Sequence, residues 1–511
     1  MADGNKIGTA LDRFLLRISP RWAVSRMKHR MVAEIMLRHF EAAQGGRRTD
    51  GWRRTHADAN AANWGAIPVL RAHGRDLVRN NGWAKNAVRV IPRNMVGSGI
   101  RPKAVGAKDP KAIGELWRRW AGTTECDADG RLRFGGIQAL ATKCVEESGE
   151  VLVRRRRRLK KDALTIPLQL QVLEPDYLDT LKNLPSSDSG GPIVQGIEFD
   201  ALGRRAFYWL FDRHPGSNLL VQPVSKRVAA SEVIHLYDVE RAGQARGVSW
   251  LSAAVLNLKD FDEFEDAELM KAKIAAALAV FVTDVEGDPT ASIGKPGTDQ
   301  KTDEPLDTII PGMVQHLKPG QDVKFVSPPS TVEGGFSTRQ LRRIAASIGI
   351  TYEDLTGDYS NVNFSSARMA RIAHWGNILH WRENMLSPQL LDPVWAWAME
   401  AAEFAGEIEL ENGELPTAEW TPPPMPLLEP DKEGLAYARL VRSGAMTPSE
   451  VARENGYDWD AFVEEYKDDL AALDKAGIIL DSDARRVSQA GLEQPAGAKP
   501  ANASEKDAAA A

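Results

Sequence analysis

The 511-residue sequence predicts an α+β chain of about three domains. Two patterns carry this. Four stretches, 66–96, 249–283, 334–402 and 431–477, repeat apolar residues at helical spacing. Between 100 and 248 the pattern changes to short β-like runs separated by Gly, Asp, Pro and Ser.

Composition narrows the class. The net charge is −5 with 26% charged residues, which excludes a general nucleic-acid coat and leaves room only for local or weak DNA contact. The two cysteines, Cys126 and Cys144, have no metal-like spacing and are expected as buried thiols in a reducing cytosol. The longest apolar run, Ile274–Val282, is far shorter than the roughly twenty residues that span a bilayer. The N-terminus has no continuous apolar core, so no secretory signal is expected. A water-soluble intracellular protein follows from these readings.

Residues 1–65 form a basic N-terminal arm. Arg13, Arg17, Arg21, Arg26, Lys28 and Arg30 precede a helical pattern at Met31–Ala43, and Arg47, Arg48, Arg53 and Arg54 follow it. A solvated arm is the simple reading, and it could reach a neighbouring copy. In 66–96, Leu70, Leu77, Val78, Ala87, Val88 and Ile91 give an apolar face broken at Asn80–Gly82, so two packed helices are expected. Helices are expected at Pro110–Ala121 and Phe134–Glu147. Strands are expected at Glu150–Arg154, Leu168–Leu173, Gly196–Phe199, Ala206–Leu210 and Val233–Leu236, in an antiparallel sheet with a turn at Asp200–Gly203. The run Arg154–Arg158 with Lys160 and Lys161 is the densest positive patch. It reads either as a solvated hairpin tip or as a face toward DNA or a partner.

A long helix is expected over 249–283, with Ser249 as its cap. Its middle carries Asp260, Asp262, Glu263, Glu265, Asp266 and Glu268 with no Lys or Arg among them. A surface helix ordinarily mixes signs to gain i,i+4 pairing, so acid of one sign marks a surface that should not hold DNA. Short strands are expected at Met313–Leu317 and Asp322–Val326. A helix with Leu341, Ile344, Ala345 and Ile348 inward ends at Gly349. The segment Tyr352–Phe364, dense in Asp, Asn, Ser and Tyr, is expected as a loop. A long helix follows from Ser365. Residues 411–430, Pro-rich from Trp420, are expected as a linker. A helix start is expected at Thr447–Glu450, with an apolar stripe of Phe462, Tyr466, Leu470 and Leu473. The Ala-, Gly- and Pro-rich tail 491–511 is expected to be disordered.

No catalytic constellation emerges. Gly294–Thr298, GKPGT, lacks the upstream glycine of a phosphate loop and has Pro after Lys. There is no HExxH and no GxSxG, and His374 and His380 share a helix without being one turn apart. No metal, no cofactor and no enzymatic activity are expected.

Five segments, in order, carry a family resemblance: RDLVRNNGWAKNAV (Arg75–Val88), NMVGSGIRP (Asn94–Pro102), LEPDYLD (Leu173–Asp179), VIHLYDVERAGQARGVSWLSAAV (Val233–Val255) and IAASIGITYEDLTGDYSNVNFSSAR (Ile344–Arg368). Together they resemble the portal proteins of tailed bacteriophages, lambda-like group. The resemblance implies a portal fold with helical stem and crown, a mixed α/β wing and a small β-containing clip, assembled as a dodecameric ring. It implies a wing at 66–248, a long helix at 249–283 ending in the first stem helix, and a clip at 284–335. The second stem helix would be 336–350, the tunnel loop 351–364, the long wing/crown helix 365–410 and a helical crown 431–490. The expected role is a channel at the unique capsid vertex of the virion, assembled in the host cytoplasm. DNA is packaged through it and later ejected. The implied partners are further copies, transient non-specific double-stranded DNA, the terminase large subunit, head-completion or adaptor proteins and the major capsid protein, with no membrane. Tyr352, Asp358, Tyr359, Asn361 and Asn363 would face DNA from the tunnel loop, and Asp262, Glu265 and Asp266 would line the stem. The alternatives are a DNA-processing enzyme of a packaging module and a capsid or scaffolding protein.

Overall fold

A computed structural model of the chain describes residues 56–218, 223–276, 280–283, 314–317, 335–360, 362–410 and 413–480, with scattered positions outside these spans. The chain divides into two compact units, Met1–Ala62 and Asn63–Ala511. Few residues of the first are described, and the architecture below is that of the second. The expectations for most of the basic arm, most of the clip, the strand at Asp322–Val326 and the tail lie outside the described residues.

The core is a helical layer on a sheet. Helices α1 (Ala66–Asn80) and α2 (Gly82–Met95) meet at Asn81, whose side chain caps α2 by accepting from the Ala84 amide. Helix α3 (Pro110–Ala121) and α4 (Phe134–Ser148) follow β1 (Arg101–Val105), with Asp109 capping α3. Trp117 and Trp120 of α3 sit in one aromatic cluster with Phe134, Trp395 and Trp420. The α4 helix lies on an antiparallel three-stranded sheet of β3 (Leu168–Leu173), β2 (Glu150–Arg157) and β8 (Val233–Tyr237). A second antiparallel sheet runs β4 (Gly190–Val194), β5 (Ile197–Asp200), β6 (Arg205–Phe211) and β7 (Ser225–Ala229).

A buried ion-pair knot joins these layers. Glu150, at the start of β2, is fully buried. It accepts from Arg71 Nη2 on α1 (2.9 Å), from Arg246 Nε (2.9 and 3.0 Å) and from the Gly247 amide (2.9 Å), and it contacts His235 Nε2 on β8 (2.9 Å). Burial opposes its charge, yet Arg246 and His235 overcome it and hold the carboxyl well below the usual range. The approach that makes the knot requires glycine: a Cβ on Gly247 would come 2.1 Å from the Gly149 carbonyl oxygen.

Four arginines of the basic run, Arg155 to Arg158, are engaged within the chain. Arg155 is buried against Glu400 (2.7 Å), Arg157 pairs with Glu232 (2.7 Å), and Arg156 and Arg158 donate to Gln171 (2.8 Å) and Gln169 (2.7 Å). The expected 411–430 linker carries a strand, β11 (Thr417–Thr421), which pairs antiparallel with β1 from Arg101↔Thr421 to Val105↔Thr417. Its Thr and Trp suit a pleated half-buried surface, and the Pro run starts only beyond it. Both cysteines are free, and burial pushes the Cys126 thiol up to about 12.

Helix α5 spans Val255–Ala276, shorter than the expected 249–283. Ser249 turns the approaching chain instead, donating to the Glu146 carbonyl (3.1 Å), and Val280–Thr283 is a strand, β9. The β-branched and aromatic residues there favour extended backbone. Strand β9 pairs in parallel with β10 (Val314–Leu317). Helix α6 spans Gly335–Ile348 and α7 spans Tyr352–Thr356. Helix α8 (Phe364–Trp381) continues through a π-helical stretch, Arg382–Leu391, into α9 (Asp392–Ala405). Pro388 lies in the π-helical stretch, whose wider turn absorbs the missing amide donor. Helices α10 (Pro430–Arg442), α11 (Pro448–Glu454) and α12 (Trp459–Ala476) follow, α11 opened by a capping box of Thr447 and Glu450. Phe462 and Tyr466 of the expected stripe remain exposed, and Asp460 and Glu464 of α12 pair with Lys103 (2.6 Å) and Lys111.

Glu146 on α4 is buried with neither carboxylate oxygen hydrogen-bonded among the described residues. Burial pushes its carboxyl well above the usual value. The unfolded chain releases this proton above about pH 4 while the folded chain keeps it, so folding loses stability as pH rises through that window. Replacing Glu146→Met should stabilise the fold at neutral pH by on the order of 1–3 kcal/mol and raise its melting temperature, and the gain should shrink as pH falls toward about 4. Thermal denaturation across pH 4–8 checks this.

Candidate functional site

Helices α5, α6 and α7 and the loop after α7 hold the residues singled out from the sequence. The α6 helix buries Leu341, Ile344, Ala345 and Ile348, as its spacing predicts, and Phe336 at its start packs on Phe264 of α5 with ring centroids 4.9 Å apart. Gly349 (φ 85°) ends α6. Thr351 then caps α7 by accepting from the Asp354 amide (3.0 Å), and Gly357 (φ 71°) ends it. The expected loop over 351–364 therefore begins as a short helix, because Thr351 and Gly357 supply a start and a stop on either side of five residues.

The named loop residues differ in what their side chains do. Tyr352 is half-buried, donates from its hydroxyl to Asp358 Oδ2 (3.0 Å), and has the Arg342 guanidinium 5.4 Å from its ring centre. Asp358 also accepts from the Ser360 amide (3.0 Å) and hydroxyl (2.6 Å). Hydrogen bonds from Ser360, then Tyr352, hold its carboxyl below the usual range. Asn363 caps α8, accepting from the Ser366 amide (2.8 Å). Tyr359 is 59% exposed and makes no side-chain hydrogen bond among the described residues. Asn361 lies outside the described residues. Three of the five thus shape the loop, and Tyr359 is the one that projects from it.

The loop has an anchor that the sequence does not reveal. Asn86 on α2 donates to the carbonyls of Asp354 (3.0 Å) and Leu355 (2.8 Å). Beside it is a cavity of about 520 Å³ lined by Trp83, Asn86, Arg93, Glu353, Asp354 and Tyr359 among others. The Gly349 carbonyl is held from α8 by Asn377 (3.0 Å).

The acidic residues of α5 fall on two sides. Asp262 accepts from Asn81 (3.2 Å) and Glu265 from Trp83 Nε1 (3.1 Å), so both reach the α1–α2 junction. Asp266 is exposed, as are Asp260 and Glu263. Lysines outside the acidic run meet its ends, Lys259 near Glu263 and Lys271 near Glu268, each at 3.7 Å.

Glu174, Asp176 and His214 also converge, their ligand atoms lying within 4.8 Å of one another. Arg75 lies 2.7 Å from Asp176 and 3.3 Å from Glu174, and Arg71 lies 3.5 Å from Asp176. The carboxylates already face guanidinium groups, which makes this a salt-bridge cluster and not a built cation site. Among the described residues no helix is long and apolar enough to cross a membrane.

Replacing Asn86→Leu should release the α7 backbone. Amide exchange over 351–360 should quicken about tenfold, the equivalent of about 1.4 kcal/mol, with the rest of the chain unchanged. Hydrogen–deuterium exchange read by mass spectrometry checks it.

Comparison with known proteins places this geometry. A family model described as "Phage portal protein, lambda family" matches residues 45–382. The "Probable portal protein" of Halomonas phage phiHAP-1 is 27% identical over 466 residues, covering 87% of this chain and 88% of that relative. "Portal protein B" of Escherichia phage lambda is 22% identical and covers 71% of this chain and 75% of its own length. A chain from the neck of an empty GTA particle, computed with C6 symmetry, is 17% identical with a TM-score of 0.43, covering 78% of this chain and 97% of that one. With α1, α2, the three-stranded sheet, α6 and the loop all inside the matched span, the chain belongs to the lambda family of phage portal proteins.

Proposed function

We propose that the chain is the subunit of a closed ring, a dodecamer in the reading its sequence suggests, that forms the DNA channel at the capsid vertex. The observation that carries this is the family match across residues 45–382. The surface of the single chain supports a ring. Helix α8 has apolar residues all round, with Ile378 buried on one side and Met369 (68% exposed), Ile372 and Leu379 outside. Large apolar side chains exposed together on one helix are ordinarily covered in an assembly, and a neighbouring copy supplies the cover. Terminase large subunit, head-completion or adaptor proteins and the major capsid protein are the further partners, in a virion assembled in the host cytoplasm.

In this reading the ring positions DNA and leaves ATP hydrolysis to the terminase. The lumen must touch DNA without clamping it, because each phosphate neutralised by Lys or Arg releases counterions and adds affinity. Tyr359 is the contact, the loop residues Tyr352, Asp358 and Asn363 set its height, and Asn361 faces DNA with it by the family resemblance. Asp262, Glu265 and Asp266 supply negative potential along the stem.

Purified protein imaged by electron microscopy should show closed rings with a central hole, and a stable monomer under assembly conditions would overturn the proposal. Changing Tyr359→Ala should leave rings intact and slow packaging in a reconstituted system several-fold. Changing Asp262, Glu265 and Asp266 to Lys should stall DNA in assembled rings. Packaging at the wild-type rate in rings carrying all three lysines would remove these acids from the channel wall.

A further inference from the structure

Two exposed stripes on adjacent helices carry opposite charge. On α5, Leu256, Asp260, Glu263, Ala267 and Met270 recur at spacings of four, three, four and three, which places them on one face. All five are exposed, Leu256 at 73% and Met270 at 57%. This face is separate from Asp262 and Glu265, which reach Asn81 and Trp83. On α6, the side opposite the buried Leu341, Ile344, Ala345 and Ile348 presents Gly335, Arg339, Arg343 and Ala346, all exposed. Arg339 and Arg343 form no ion pair among the described residues, and α6 contains no acidic residue.

We infer that these stripes are the two halves of one contact between copies, in which Asp260 and Glu263 of one subunit face Arg339 and Arg343 of the next. This rests on the ring proposed above. The charges are complementary, and each pair is spaced by one helical turn, so both pairs align when the helices lie side by side. The two stripes differ, so the contact is head-to-tail, the kind that closes into a ring when the rotation permits. It also withdraws two arginines from any approaching DNA, in keeping with a lumen that must not adhere.

A charge exchange tests the inference. One variant carries Asp260→Arg and Glu263→Arg, so that both of its stripes are basic. The other carries Arg339→Glu and Arg343→Glu, so that both are acidic. All four positions are exposed, and circular dichroism melts should match wild type. Each variant alone should run as a monomer or short oligomer in native mass spectrometry, with at least a tenfold loss of closed rings. Mixed in equal amounts, the two should close rings in which they alternate, and the fourfold variant should close rings by itself. The inference is overturned if either variant alone forms rings at the wild-type level, or if neither the mixture nor the fourfold variant recovers them. Intact rings with altered DNA retention in the Arg339/Arg343 variant would assign that stripe to DNA. A wild-type chain that forms no ring would defeat the ring proposal itself, and this contact with it.

Discussion

The carboxylate of Glu150 is the point on which the rest of the unit is hung. It is fully buried, so its charge is tolerable only because Arg71, Arg246, His235 and the Gly247 amide converge on it. These groups come from α1, from β8 and from the segment that leads into α5. Removing Arg246, which makes the closest pairing, leaves the buried carboxylate with Arg71 as its remaining arginine, a loss approaching the roughly 3–5 kcal/mol of a broken buried pair. The same knot fixes direction. The chain leaves Gly247, turns at Ser249 against α4, and enters α5 at Val255. Asp262 and Glu265 then bring α5 to the α1–α2 junction, and Asn86 on α2 reaches across to hold α7. The position of α7, which Tyr359 follows in the chain, is therefore tied to a series of contacts that begins at a single buried acid.

Local pattern made much of this legible. The Pro110–Ala121 helix, the two helices meeting at Asn80–Gly82, the strands at Leu168–Leu173 and Val233–Tyr237 and the capping box at Thr447 all lie where spacing and capping put them, because their signals are contained within a dozen residues. Features defined by a distant partner were not legible. The strand Thr417–Thr421 exists through pairing with Arg101–Val105. The arginines of β2 looked like a patch because Glu400 and Glu232 are far away in sequence. The loop was described by composition alone, and composition does not say that Asp358 is spent on Tyr352 and Ser360 or that Asn363 is spent on a helix cap. Tyr359 was named among five candidates, and only geometry separates it from the other three described ones.

The outer surface carries a different message from the core. The inner residues of α8 satisfy ordinary packing, yet Met369, Ile372 and Leu379 lie outside on the same helix. Helix α12 reaches β1 and α3 through Lys103 and Lys111, while Phe462 and Tyr466 stack in the open. Apolar surface of this extent is costly to leave wet, at about 25 cal/mol per Å², and it lies on helices, whose backbone is already satisfied. Such faces suit side-by-side packing of further helices, which repeated copies of one chain can supply without any new fold.

Electrostatics then decides how a ring of such copies can serve a polymer that must move. A lumen rich in free arginine would hold DNA by counterion release, and a lumen of unpaired acid would strain the assembly by self-repulsion. Helix α5 separates the two demands by side. One flank turns Asp262 and Glu265 toward its own chain, where Asn81 and Trp83 fix them as a stationary negative field. The other flank offers Asp260 and Glu263, which a neighbour's arginines neutralise in the inferred contact. Arg155 to Arg158 are likewise bound within the chain, to Glu400, Gln171, Glu232 and Gln169. In the proposed reading positive charge is placed where it joins protein to protein, and the weak contact with DNA falls to Tyr359, whose ring can stack or slide without an ionic grip.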